Sequence, residues 1–167
     1  MRMAAEIQNR RPAFFCDAML GSLAKWLRLM GHDAAYERQI DDWEMLRRCS
    51  RERRVLLTRD RSVMQRWQIR RGLVDALLVG TGSLENELAE VFKRFGLRPL
   101  AQPRCPVDNS SLIAKPRQKV RESVPAYVYR TQTEFHVCPA CGRIYWRATH
   151  WDRIEALRRK LASSSGL

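Results

Sequence analysis

Apolar residues recur along this chain with two spacings. Short unbroken runs predict strands over Phe14–Cys16, Val55–Thr58 and Ala76–Gly80, and Asp33–Tyr36 predicts a weaker one. Between these runs the spacing changes to three and four. Leu20, Leu23, Ala24, Leu27 and Met30 predict a helix that Gly31 ends. A second helix opens at Asp41-Asp42, acids at its positive end, and continues through Trp43, Leu46 and Cys49. Ser62–Arg70 reads as helical. Ser83 caps a helix carrying Leu88, Val91, Phe92 and Phe95 up to Gly96. Strand and helix thus alternate four times within residues 14–95. Such alternation predicts an α/β unit, its mostly parallel sheet covered on both faces in three layers.

After Gly96 the pattern changes. Leu97–Arg104 holds two prolines and reads as a linker. Cys105-Pro-Val-Asp108 and Cys138-Pro-Ala-Cys141 stand 33 residues apart. A basic stretch, Lys115–Arg121, and an expected strand, Ala126–Arg130, lie between them. Ile144-Tyr145-Trp146 and Thr149-His150-Trp151 follow, then a basic helix from Asp152 to Leu161. The expected organisation is a flexible arm (1–12), an α/β domain (13–96), a linker (97–104), a small β-rich ribbon-like module (105–152), and a basic helix with its tail (153–167).

Charge narrows the class of partner. The net charge is +13, with 18 basic and 13 acidic residues up to position 95, and 13 basic against 5 acidic beyond it. That excess favours a polyanion, nucleic acid first, without separating RNA from DNA. No apolar run reaches the length of a membrane span, and residues 1–12 lack a secretory h-region, so a cytoplasmic protein is expected. Five cysteines, an odd number, argue against a disulfide framework. Cys16 and Cys49 read as buried small hydrophobes.

Candidate chemistry collects at two places. Ligands of open α/β sheets bind beyond the carboxyl ends of the strands. Asp17 follows strand one, Asp41 and Asp42 follow strand two, and Asp60 follows strand three, all at that edge. Converging carboxylates hold Mg²⁺ or Mn²⁺ through hard oxygen ligands, and such an ion activates water against a phosphodiester. Lys25, Arg28, Arg59 and Arg61 stand close in sequence as candidate phosphate contacts. Helix capping explains any single one of these acids equally well. An acyl-phosphate aspartate is a further alternative, but no lysine late in the sheet supports it. The second place is a zinc-ribbon pattern. Cys138 and Cys141 form one half, and Cys105 with Asp108 the other, Asp108 standing where a cysteine is expected. His136 or His150 is an alternative fourth ligand. A ribbon held by packing of Tyr145, Trp146 and Trp151 without metal is the other possibility. His32, after Gly31, is expected at the surface. Trp26 and Trp43 read as packing residues, and Tyr127, Tyr129, Tyr145 and Trp146 as strand-pairing aromatics or base-stacking candidates.

The assembled motifs resemble the Mut7-C RNase domain family. They are Asp17-Ala-Met-Leu-Gly-Ser-Leu-Ala-Lys-Trp-Leu-Arg28 with Gly31-His-Asp33, then Leu57-Thr-Arg-Asp60-Arg, Arg104-Cys-Pro-Val-Asp-Asn109, Val124-Pro125 with Tyr129, Glu134-Phe135, Cys138-Pro-Ala-Cys141-Gly, Tyr145-Trp146 and His150-Trp151. The resemblance implies a PIN-like nuclease domain with a C-terminal zinc ribbon and metal-dependent cleavage of RNA, expected to be single-stranded. It carries Asp17, Asp42 and Asp60 over as the acidic positions, with Asp41 as a neighbour of Asp42. Asp108 departs from the family pattern, which has a cysteine there. The competing expectation is an RNA-binding or ribosome-associated module without catalysis, in which the acids only cap helices.

Overall fold

The structure is a computed structural model that describes residues 11–146 and 151–164. Residues 1–10 of the expected arm, and His150, lie outside the described residues. Strand β1 (Ala13–Cys16) leads through a 3-10 turn (Ala18–Leu20) into α1 (Gly21–Leu29) and then β2 (Ala34–Tyr36). Helix α2 (Asp42–Glu52), β3 (Arg54–Thr58), a 3-10 turn (Val63–Gln65), the one-turn α3 (Trp67–Arg70), β4 (Ala76–Leu78) and α4 (Leu84–Phe95) follow. All pairings in this sheet are parallel, in the order β2-β1-β3-β4.

The strands read as apolar runs because both faces are covered. Phe14, Cys16 and Leu57 face a core shared with Leu23 and Leu27 of α1 and Leu88, Val91 and Phe92 of α4. Phe15 and Leu56 face the opposite core, with Met45, Leu46 and Cys49 of α2. Cys16 and Cys49 are therefore buried, and burial pushes both thiols up, Cys49 to about 12. Gly31 ends the α1 segment at φ +88°, where a Cβ would meet Gln102 O at 2.7 Å, so both conformation and space require glycine.

The second unit holds an antiparallel sheet of β5 (Ile113–Lys115), β6 (Phe135–Val137) and β7 (Ile144–Trp146), with α5 (Ala126–Thr131) packed on it. Ala126–Arg130 is thus a helix, not the expected strand. Pro125 starts it with φ −56°, and Val120, Val124 and Val128, four residues apart, share the core under it. Ser62–Arg70 is likewise not one helix, because Arg66 is extended (ψ 139°) and breaks it. Helix α6 (Trp151–Ser164) returns to the first unit, where Ile154, Leu157 and Leu161 join the α1–α4 core. No helix among the described residues is long and apolar enough to cross a membrane.

Polar ties join the two units. Arg28, on α1, is buried; its Nε donates to Ala34 O (2.8 Å) and its Nη1 to Pro106 O (3.0 Å) and Val107 O (3.1 Å). Asn109, at φ +70°, donates to Asp33 (2.8 Å) and accepts from the Ala34 amide (3.2 Å). His32 is 3% exposed rather than at the surface; its Nε2 lies 3.1 Å from Arg98 O and its ring packs edge-on against Phe92. Burial pushes its pKa down to about 4.

Candidate functional site

The strand order reverses between β1 and β3, and the crevice beyond their carboxyl ends is where such sheets take ligands. Asp17 stands there, 7% exposed. Its amide donates to Leu57 O (3.0 Å), which fixes the chain as it leaves β1. Its Oδ1 accepts from Met19 N (2.9 Å) and caps the 3-10 turn. Its Oδ2 accepts from the Thr58 hydroxyl and from Arg59 N (3.2 Å). Thr58 Oγ1 in turn accepts from Asp60 N (3.0 Å), so one buried hydroxyl ties the ends of β1 and β3 together.

The other acids lie at the same edge, each engaged locally. Asp41 caps α2 by accepting from Glu44 N (2.9 Å). Asp42 pairs with Arg66 at 2.8 Å. Asp60 Oδ1 accepts from Ser62 N (2.7 Å); hydrogen bonds from Ser62, aided by the field of Arg66, hold its carboxyl below the usual range. Arg66 thus acts on both Asp42 and Asp60. Among the described residues these acids do not gather three oxygens within 4.8 Å of one another.

The cations divide. Arg59 pairs through Nη2 with Glu87, a carboxylate 4% exposed on the first turn of α4, and Arg59 Nε is buried without a partner. Sequence reading missed Glu87 because an acid near a helix start reads as a dipole partner. Its spacing to Leu84 and Val91 placed it on the apolar face, and that was the available signal. Arg61 is exposed. Lys25 is exposed on α1 and lines a cleft facing the second sheet. Arg28, expected on phosphate, instead spends its donors on three backbone carbonyls in the interior.

The cysteine cluster is compact. Cys105, Asp108, Cys138 and Cys141 each offer a donor atom within 4.8 Å of the others. Cys105 Sγ and Cys141 Sγ lie 3.8 Å apart. Metal–sulfur bonds of about 2.3 Å at the tetrahedral angle put sulfurs about 3.8 Å apart, so the donors fit a tetrahedral ion. The Cys138 thiol donates to Asp108 Oδ2 (3.0 Å), and this bond holds the Asp108 carboxyl well below the carboxylate range. Burial opposes the Cys105 thiolate, but the Tyr145 hydroxyl, 3.2 Å away, and the amides of Asp108 and Val107 outweigh it. Two turns present the donors: Asn109 N donates to Cys105 O (2.9 Å), and Gly142 N, at φ +72°, donates to Cys138 O (3.0 Å). Asp108 therefore occupies the fourth position. His136 is on β6, outside this group.

A family model described as Mut7-C RNAse domain matches residues 12–158. No curated protein and no solved structure matches the chain. The match covers the parallel sheet with Asp17 and Asp60, the ties through Arg28 and Asn109, and the Cys105–Cys141 cluster. On that match over most of its length, the chain belongs to the Mut7-C RNase domain family.

Proposed function

We propose that this chain is a ribonuclease that hydrolyses RNA phosphodiester bonds at the carboxyl edge of the parallel sheet. The observation that carries the reading is Asp17, a carboxylate held by the Thr58 hydroxyl and two amides at the strand-order reversal, in a chain of this family. A buried acid with a fixed orientation is the kind of group that positions a nucleophile or an ion. The finer reading is a PIN-like, Mg²⁺- or Mn²⁺-dependent site in which Asp42 and Asp60 complete Asp17. Arg66 and Ser62 each engage one oxygen, of Asp42 and Asp60 respectively, and an ion would compete with those contacts. The Arg66–Asp42 pair is solvent-exposed, and pairs of that kind contribute about 0–1 kcal/mol, a small barrier to rearrangement. Single-stranded RNA is the expected substrate. At the second centre, three sulfurs and one carboxylate suit Zn²⁺, closed by four protein ligands in a structural role.

The test is incubation of labelled single-stranded RNA with the purified protein, with added Mn²⁺ or with chelator. Mn²⁺-dependent cleavage supports the reading, and equal rates in chelator refute the metal requirement. A second reading has its own observation: Asp41, Asp42 and Asp60 each serve as a cap or ion-pair partner. On that reading the chain binds RNA as an adaptor, and the same assay shows RNA bound and uncut.

A further inference from the structure

A cleft of about 910 Å³ separates α1 from the second sheet. That volume is near the top of the range of ligand sites, about 300–1,000 Å³. One wall is α1, through Lys25, Trp26 and Leu29. The other is a cross-strand row on one face of the sheet, Ala114 opposite His136 and His136 opposite Tyr145. Phe135 and Trp146, the next pair along β6 and β7, alternate to the opposite face and pack in the core under α5, so they meet the cleft only at its edge.

The rim is cationic. Lys25, Lys115 and Arg117 border the cleft against one acid, Glu134. Arg117 is held in place: its guanidinium lies 4.3 Å over the Tyr129 ring, and its Nη2 donates to Tyr129 O (2.6 Å). A guanidinium fixed in this way loses little freedom when it meets a phosphate.

We infer that this cleft binds unpaired bases of single-stranded RNA, with the phosphates on Lys25, Lys115 and Arg117 and the bases against Trp26 and Tyr145. The inference rests on the ribonuclease reading for its choice of RNA. Charge complementarity supplies the first argument, since the rim lies mainly in the part of the chain with 13 basic and 5 acidic residues. The lining supplies the second. Inorganic phosphate uses the cations and leaves the aromatic walls idle, whereas an unpaired base presents a π-face to them. A duplex keeps its bases stacked and cannot enter between helix and sheet. Lys25 stands about 6 Å along α1 from Gly21, the residue that starts the helix behind Asp17.

The test measures binding without added Mg²⁺ or Mn²⁺, so that cleavage does not enter. Fluorescence anisotropy of a labelled short oligouridine is followed across a salt series for the wild type and for the double variant Lys115→Glu, Arg117→Glu. The expected result is about tenfold or greater loss of affinity, and a salt slope smaller by about 1.4 as two single-strand phosphate contacts are lost. Trp26→Ala is expected to weaken binding as well. The charge-reversed residues lie at the cleft rim, so that arm stands even where Trp26→Ala fails to fold. Photocrosslinking with thiouridine is expected to label peptides of α1 and β7. Wild-type affinity and slope in the double variant overturn the inference, as do crosslinks confined to residues outside the cleft, tighter binding of duplex than of single strands, or occupation of the cleft by a peptide and not by RNA. Cleavage without cleft-dependent binding removes the cleft and leaves the ribonuclease reading. Cleft-dependent binding without cleavage does the reverse.

Discussion

Replacing Arg28 with alanine removes one side chain that serves three carbonyls. Ala34 O lies in β2, at a buried residue, and its bond to Arg28 Nε is buried. Leaving a buried acceptor unsatisfied costs about 1–3 kcal/mol. Pro106 O and Val107 O are only partly buried, so water replaces the guanidinium there and the cost falls to about 1 kcal/mol for the pair. Loss of the packed aliphatic stem adds about 1 kcal/mol. The sum is about 3–5 kcal/mol. For a chain of this size each kcal/mol moves Tm by about 2–4 °C, so the midpoint is expected to fall by about 10 °C. Arg28→Lys keeps the charge but not the fork, and is expected to recover less than half of the loss. The assay is thermal and urea unfolding of both variants beside the wild type. The knuckle at residues 105–108 hangs on the same bonds, so Arg28→Ala is also expected to release metal to a chelator faster. If Arg28→Ala unfolds within about 0.5 kcal/mol of the wild type while RNA affinity falls tenfold, the interior role is wrong and a phosphate-contact role is right.

Acidification tests His32. Its folded pKa of about 4 lies below the ordinary 6.5, so the unfolded chain binds the extra proton first and stability rises with pH across that window. Up to about 3 kcal/mol is present above pH 6.5 and is lost as pH falls toward 4; His32→Gln is expected to flatten that part of the unfolding profile. Gly31→Ala is expected to cost about 2 kcal/mol or more, since a left-handed backbone alone costs about 1–2 kcal/mol and its Cβ would also meet Gln102 O; urea midpoints read the loss. Asp42→Asn is expected to raise the Mn²⁺ concentration for half-maximal cleavage by about tenfold or more, and an unchanged titration refutes a role for Asp42 at the ion. Asp108→Cys is expected to slow zinc release to a chelator, and Asp108→Ala to lower the zinc content of purified protein.

The parallel sheet was legible because its strands are buried on both faces, which leaves Phe14–Cys16 and Val55–Leu57 unbroken by polar residues. Helix ends were legible for a local reason: Asp41 and Ser83 each bond an amide three residues on, and Gly96 takes φ +59°. The edge position of Asp17 followed from the same alternation. Long-range bonds left no local trace. The bonds of Arg28 to Pro106 O and Val107 O and the Asn109–Asp33 bond span 76 or more residues, and only the folded chain brings them together. His32 looked exposed because a helix-ending glycine precedes it, while the Phe92 ring and Arg98 carbonyl that meet it lie 60 or more residues along the chain. In α5 the tyrosines suggested a strand, whereas the spacing of Val120, Val124 and Val128 carried the true period. The Cys105–Asp108 and Cys138–Cys141 spacings announced a cluster that could hold a metal ion, and the fold added the tyrosine hydroxyl beside Cys105.

Cleavage of labelled single-stranded RNA by the wild type and by Asp17→Asn, compared with Mn²⁺ present, tests the ribonuclease reading most directly. Asparagine removes the charge and keeps one of the two acceptor oxygens, so the Thr58 hydroxyl retains its partner while the cap on Met19 N is lost, and circular dichroism with thermal unfolding checks that the variant is folded. Cleavage is expected to fall by about a hundredfold or more. Equal cleavage by a folded Asp17→Asn protein contradicts the account.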